Sequence, residues 1–66
     1  MADTQIWKDQ YGNMIIDESN GDYFSNSIIA LPNGDKTKRK SFTSWNSAKK
    51  YLNTFHPRKR LNFEEI

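Results

Sequence analysis

Ile28-Ile29-Ala30-Leu31-Pro32-Asn33-Gly34-Asp35-Lys36-Thr37-Lys38-Arg39-Lys40-Ser41-Phe42 is the stretch whose reading decides the fold. Proline restricts one φ angle and Asn-Gly tolerates positive φ, so Pro32 to Asp35 predicts a tight hairpin turn. The strand entering it extends back to Tyr23. Phe24, Ile28 and Ala30 then share one face, and Tyr23, Ser25, Ser27, Ile29 and Leu31 the other. Lys36 to Phe42 reads as the returning strand, with Lys36, Lys38 and Lys40 on one face and Thr37, Arg39 and Ser41 on the other.

Upstream, Thr4 to Lys8 and Met14 to Asp17 are short apolar-rich segments on either side of Asp9-Gln10-Tyr11-Gly12-Asn13, a loop composition that suits a hairpin. Asp17-Glu18-Ser19-Asn20-Gly21-Asp22 then breaks the pattern with turn-forming residues. Downstream, Thr43 or Ser44 can cap a helix whose Trp45, Ala48, Leu52 and Phe55 follow the spacing of a buried stripe, with Tyr51 flanking it. That helix should stop by His56, because Pro57 disfavours helical geometry in the residue before it. One amphipathic helix can cover one face of three or four short antiparallel strands, so the chain is expected to be α+β. The opposite face would be open and carry the lysine row of the fourth strand. Residues 1 to 56 form the expected domain. Residues 57 to 66 form a basic-then-acidic tail, whose Leu61, Phe63 and Ile66 could add a short strand or pack down the side.

Sixty-six residues allow one small domain. Nine aromatic side chains give a core of this size enough bulk to close. With no cysteine, neither a disulfide scaffold nor a cysteine-based zinc site holds the chain together. No long apolar run or signal-peptide pattern is present, so the expected location is the cytoplasm, the host's if the chain is phage-encoded. Charge is distributed unevenly. Asp3, Asp9, Asp17, Glu18, Asp22 and Asp35 face Lys8 alone in the first 35 residues, whereas Lys36, Lys38, Arg39, Lys40, Lys49, Lys50, Arg58, Lys59 and Arg60 follow with no acid among them. Such a basic block reads as a footprint for a polyanion. Its structural counterpart is mutual neutralisation of the two halves.

Catalysis has little to build on. His56 is the one histidine, no cysteine or glycine-flanked serine accompanies it, and three scattered glycines form no phosphate or dinucleotide loop. The chain is therefore expected not to be an enzyme, and His56 to be a capping or surface residue. The run from Asp17 to Asp22 departs from a calcium loop, since its glycine falls fifth and Ile28 stands where a twelfth-position acid belongs. A polar turn is expected there, and neither metal nor cofactor is called for. Lys36 to Ser41 mixes cations with hydroxyls, both of which bond phosphate oxygens, while the Arg39 fork can also read a guanine edge. Lys49, Lys50 and Arg58-Lys59-Arg60 would add flanking backbone contacts. The competing reading is a lysine-rich edge strand guarded against aggregation.

Tyr23 to Phe55, with Ile28-Ile29-Ala30, Asn33-Gly34-Asp35-Lys36, Lys38-Arg39-Lys40-Ser41-Phe42, Trp45, Ala48 and Leu52, resembles the sheet-then-helix DNA-binding domains of plant ethylene-response factors and the arm-binding domains of phage integrases. The resemblance implies a three-stranded sheet in the major groove backed by a helix, with Lys36, Lys38, Arg39 and Lys40 against DNA. A different class of function follows from composition, because small polar proteins rich in Asn, Ile and Lys resemble products of phages and mobile elements that bind a host or phage protein. Trp7 and Tyr11 would then be aromatic anchors and Asp9 and Asp17 a charged rim. Trp7 also suits the core. A homodimer joining the acidic half of one copy to the basic half of another would satisfy both charges.

Overall fold

Two short segments rich in large apolar side chains, on either side of the Asp9 to Asn13 loop, form a hairpin in the computed structural model, which describes residues 4–18 and 26–66. Its strands are β1 (Gln5–Lys8) and β2 (Met14–Asp17). They are followed by β3 (Ile28–Leu31), β4 (Lys40–Phe42), the helix α1 (Trp45–Asn53) and β5 (Glu64–Glu65). The strands form one antiparallel sheet in the order β4-β3-β2-β1-β5, giving the expected α+β class, with the tail adding a fifth strand, one of the two options it offered. Glu65 pairs with Trp7 and Glu64 with Lys8, and the Ile66 amide donates to the Ile6 carbonyl at 2.8 Å.

The registers settle which side chains share a face. Trp7, Ile15, Ala30 and Lys40 lie opposite one another across the strands, as do Gln5, Asp17, Ile28 and Phe42. On this face Ile15, Ile28 and Ala30 are completely buried together with Ala48 and Leu52 of α1. Trp7, Phe42, Trp45, Tyr51, Leu61 and Phe63 pack around them. The other face carries Ile6, Ile16, Ile29 and Ser41 in one row and Lys8, Met14 and Leu31 in the next. Tyr23, Phe24 and the turn from Ser19 to Asp22 lie outside the described residues.

Two sequence expectations need correction. Lys36 to Lys38 is not strand but a 3-10 turn, and β4 begins at Lys40. The Asp35 carboxylate causes this by accepting from the Thr37 amide at 2.9 Å and from the Thr37 hydroxyl at 2.6 Å, an Asx turn that takes these residues off the ladder. The hairpin between β3 and β4 is therefore closed by a loop of two successive 3-10 turns, with Asn33 at φ 54° and Gly34 at φ 71°, and not by a tight turn. The lysine row is also absent from the open face. Lys40 pairs with Ala30, a core position, so it emerges on the helix side, and Ser41 takes the open-face place.

The helix starts as expected. Ser44 is extended, and its hydroxyl oxygen accepts from the Ser47 amide at 3.3 Å. It ends earlier than the stripe suggested, at Asn53. The Thr54 hydroxyl donates to the Tyr51 carbonyl at 2.6 Å, and the Asn53 side-chain amide donates to the carbonyls of His56 at 3.1 Å and Lys59 at 3.0 Å. These bonds curl the chain away from the axis, so Phe55 leaves the buried stripe and becomes exposed.

Candidate nucleic-acid interface

Three loops meet at the end of the molecule where α1 finishes, and a buried polar network joins two of them. In the β1–β2 loop, Asp9 is buried and accepts from the amides of Tyr11 at 2.9 Å and Asn13 at 2.8 Å, and from the Asn13 side-chain nitrogen at 2.8 Å. Asn13 is completely buried and turns its side-chain oxygen to the Asn33 amide at 2.8 Å. That bond ties the first hairpin to the loop after β3. Gly12 sits at φ 87°, which favours glycine, and a Cβ there would press on the Asn33 side-chain oxygen at 3.3 Å.

The third loop is fastened through α1. The Tyr51 hydroxyl donates to the Lys38 carbonyl at 2.8 Å, while Asn53 in the same turn holds the Lys59 carbonyl. The Gln10 side chain donates to the Arg60 carbonyl at 2.7 Å and accepts from the Asn62 amide at 2.9 Å. The backbones of the two basic segments are thus bonded to the last turns of one helix. Lys36, Lys38, Arg39, Arg58, Lys59 and Arg60 are all exposed there, with Lys50 exposed in the last turn of α1. Arg58 occupies the left-handed region at φ 64°, a conformation that costs about 1 to 2 kcal/mol for a residue with a Cβ.

The other two predicted cations are used differently. Lys40 lies with its ammonium 5.4 Å from the Tyr51 ring centre and 5.7 Å from that of Phe42. Lys49 places its ammonium 5.9 Å from the Trp45 ring and lines a separate cleft at the other end of α1. Among the described residues none of the nine is paired with a carboxylate.

Aromatic rings occupy the basic end as well. Tyr11 stacks on His56 with centroids 4.5 Å apart and 15° between planes, and Phe55 meets Tyr51 edge-on at 5.4 Å. A cleft of about 340 Å³ runs between Phe55 and His56 on one side and Asn33, Asp35 and Lys38 on the other. The Thr37 hydroxyl, the Thr37 amide and the nearby Lys38 charge hold the Asp35 carboxyl below the ordinary aspartate range. The sequence reading puts Phe55 on the buried stripe and names Tyr11, with Trp7, as an aromatic anchor for a protein partner. A signal for the first was present, since a helix that must end before Pro57 leaves Phe55 little helix to belong to.

At the opposite end, Trp7 and Trp45 meet at 5.4 Å with perpendicular planes, and Phe63 meets Trp45 edge-on at 6.1 Å. They line a cleft of about 410 Å³ with Gln5, Asp17 and Lys49. The Trp45 indole N–H donates to Asp17 at 2.8 Å, whereas the buried Trp7 indole nitrogen has no hydrogen-bond partner among the described residues. Asp9 and Asp17 are both buried and bonded inside the fold, so they do not form the exposed charged rim expected of a protein-binding patch. Among the described residues no helix is long and apolar enough to cross a membrane, and no three metal-type ligands are gathered.

No protein-family model matches the chain, and no curated protein or solved structure is significantly similar to it.

Proposed function

We propose that the protein is a non-enzymatic nucleic-acid-binding module that grips backbone phosphates with its basic end. One observation carries the reading: hydrogen bonds to the last turns of α1 hold two basic segments, Lys36 to Arg39 and Arg58 to Arg60, with no carboxylate paired to any of them among the described residues. Holding like charges together costs free energy, and a polyanion offsets that cost. The mode is not a sheet laid in a groove, because the open sheet face carries Ile6, Ile16 and Ile29 where such a mode needs cations. Lys36 to Arg39 act from a capped loop, and Lys50 extends the same surface. The acidic residues of the first half keep affinity modest, about micromolar at physiological salt as for non-specific contacts. A salt titration tests this. Four or five phosphate contacts give a slope of log affinity against log salt near −4, since each contributes about −0.9. Replacing Lys36, Lys38 and Arg39 together by glutamate abolishes binding with an unchanged circular dichroism spectrum. No binding at about 50 mM salt overturns the proposal.

The partly exposed apolar sheet face away from α1 favours a second reading, a module that binds a protein. Ile6 is 37% exposed there beside Ile16 and Ile29, and no described helix packs on it. Failure of every nucleic acid, together with a protein complex or self-association that Ile29→Lys disrupts, would favour this reading over the first.

A further inference from the structure

Two aromatic rings are exposed among the described residues, Tyr11 at 37% and Phe55 at 43%, and both stand at the basic end. Neither is needed to close the core, which is built from Ile15, Ile28, Ala30, Ala48 and Leu52. Phe55 lies beyond the last residue of α1 and touches the Tyr51 ring only edge-on. Phosphate contacts alone use cations and leave rings without a role. Rings beside cations suit a strand whose bases are unstacked, because the bases of a duplex hide their faces in the stack. The cleft beside Phe55 has a volume within the range of small-molecule sites, and it borders Lys38, one of the proposed phosphate contacts.

We infer that the basic end binds single-stranded nucleic acid, with one unstacked base lodged against Phe55 beside the Tyr11–His56 pair while the cations follow the backbone. The inference rests on the nucleic-acid reading above and adds the class of ligand. Asn33 and Asp35 face the same cleft, so a base edge entering it meets an amide and a carboxylate, while Lys38 is placed for the adjoining phosphate.

The test measures affinity of the full chain for a single-stranded DNA, a single-stranded RNA and a duplex of the same sequence at about 50 mM salt. Single strands of at least one sugar type are expected to bind about tenfold more tightly than the duplex, and the stronger of the two identifies the sugar preferred. Phe55→Ala is expected to lose about tenfold for the single strand and little for the duplex, as removal of one stacking ring does. Phe55→Leu keeps apolar bulk without a π face and should behave like alanine, whereas Phe55→Trp should retain binding. Because Phe55 is so exposed, these variants fold, which circular dichroism verifies. Equal affinity for single strand and duplex, or unchanged single-strand binding by Phe55→Leu, overturns the inference and leaves the phosphate-binding proposal standing. Loss of binding to all three nucleic acids in the wild-type chain overturns both.

Discussion

The two ends of α1 each carry an aromatic cluster beside a cleft of similar size, yet they use their rings in opposite ways. At the N-terminal end Trp7, Trp45 and Phe63 are half-buried, meet edge to face, and pack against the completely buried core. Their cleft holds one carboxylate and one ammonium, with Asp17 bonded to the Trp45 indole and Lys49 over its ring. At the C-terminal end Tyr11 and Phe55 are exposed, and the neighbouring charges are almost all of one sign. A cluster that closes a small core needs burial and internal satisfaction, and the first has both apart from the Trp7 indole nitrogen. The second leaves Tyr11 and Phe55 exposed, so core closure does not account for them, and the nucleic-acid binding proposed above would.

The largest expected effect would break this contrast most directly. Trp45→Ala removes a ring packed on the core and deprives Asp17 of a donor, so it should lower stability by about 3 kcal/mol, a large part of what a chain this small possesses. Phe55→Ala, which removes a comparable ring from the other end, should cost under about 1 kcal/mol because little of that ring is buried. Thermal unfolding of the two variants side by side checks the pair. Similar losses would show that both clusters are structural.

A smaller loss is expected at the network that positions the basic end. Asn13→Ala takes the side-chain donor from Asp9 Oδ2, which keeps only its backbone donors on Oδ1, and the acceptor from the Asn33 amide, at about 1 to 3 kcal/mol. Urea unfolding measures that loss. The same variant should weaken nucleic-acid binding even where it stays folded, because the loop carrying Lys36 and Lys38 loses its tie to the first hairpin. Full affinity in the folded variant would mean that the loop needs no such anchoring.

How much of this was legible in the sequence depends on the range of the interaction that decides each element. Ile28, Ala30, Ala48 and Leu52 were readable because periods of two and of three to four residues are local consequences of strand and helix geometry. Ser44 was readable as a cap for the same reason. The lysine row was misread because alternation was extended through Lys36 to Lys38, although Asp35 followed two residues later by Thr37 is itself a local Asx-turn pattern. Phe55 kept the stripe's spacing but lay past the end of the helix, so its spacing no longer placed it on a face. The tie between Asn13 and Asn33 spans twenty residues, and no local rule reports it. The nine candidate cations could be named from the sequence, whereas their division into a basic end and the separately engaged Lys40 and Lys49 required the fold.

Arg58 sharpens the comparison from the basic side, with a modest effect on stability and a specific one on binding. Its left-handed backbone is one that glycine adopts without a Cβ penalty, so Arg58→Gly should leave stability unchanged or raise it by up to about 1 kcal/mol. If the side chain contacts a phosphate, the same change should flatten the salt slope by about one. A variant that is both destabilised and unaltered in slope would assign Arg58 a structural role and move it out of the interface.

Asp35 gives the smallest expected effect and the most local one. It is the carboxylate in the cleft at the basic end, and its bonds from Thr37 both shape the loop and favour its charged form. A carboxyl whose folded pKa is depressed contributes stability above its unfolded pKa, and that contribution is lost as pH falls through the folded value. The residue is half-exposed and solvent screens it, so the effect on global unfolding is slight and belongs to the loop. The Thr37 amide resonance should therefore move in an acid titration with a midpoint below the ordinary aspartate range, while amides of the core stay fixed. Asp35→Asn should keep a side-chain oxygen for the Thr37 amide and abolish that titration. With its charge gone, nucleic-acid affinity at low salt should rise, because Asp35 is an anion set among the cations proposed to contact phosphates. A midpoint at the ordinary value would show that the Thr37 bonds are not kept in solution, and Lys36 and Lys38 would then meet the strand from an unshaped loop.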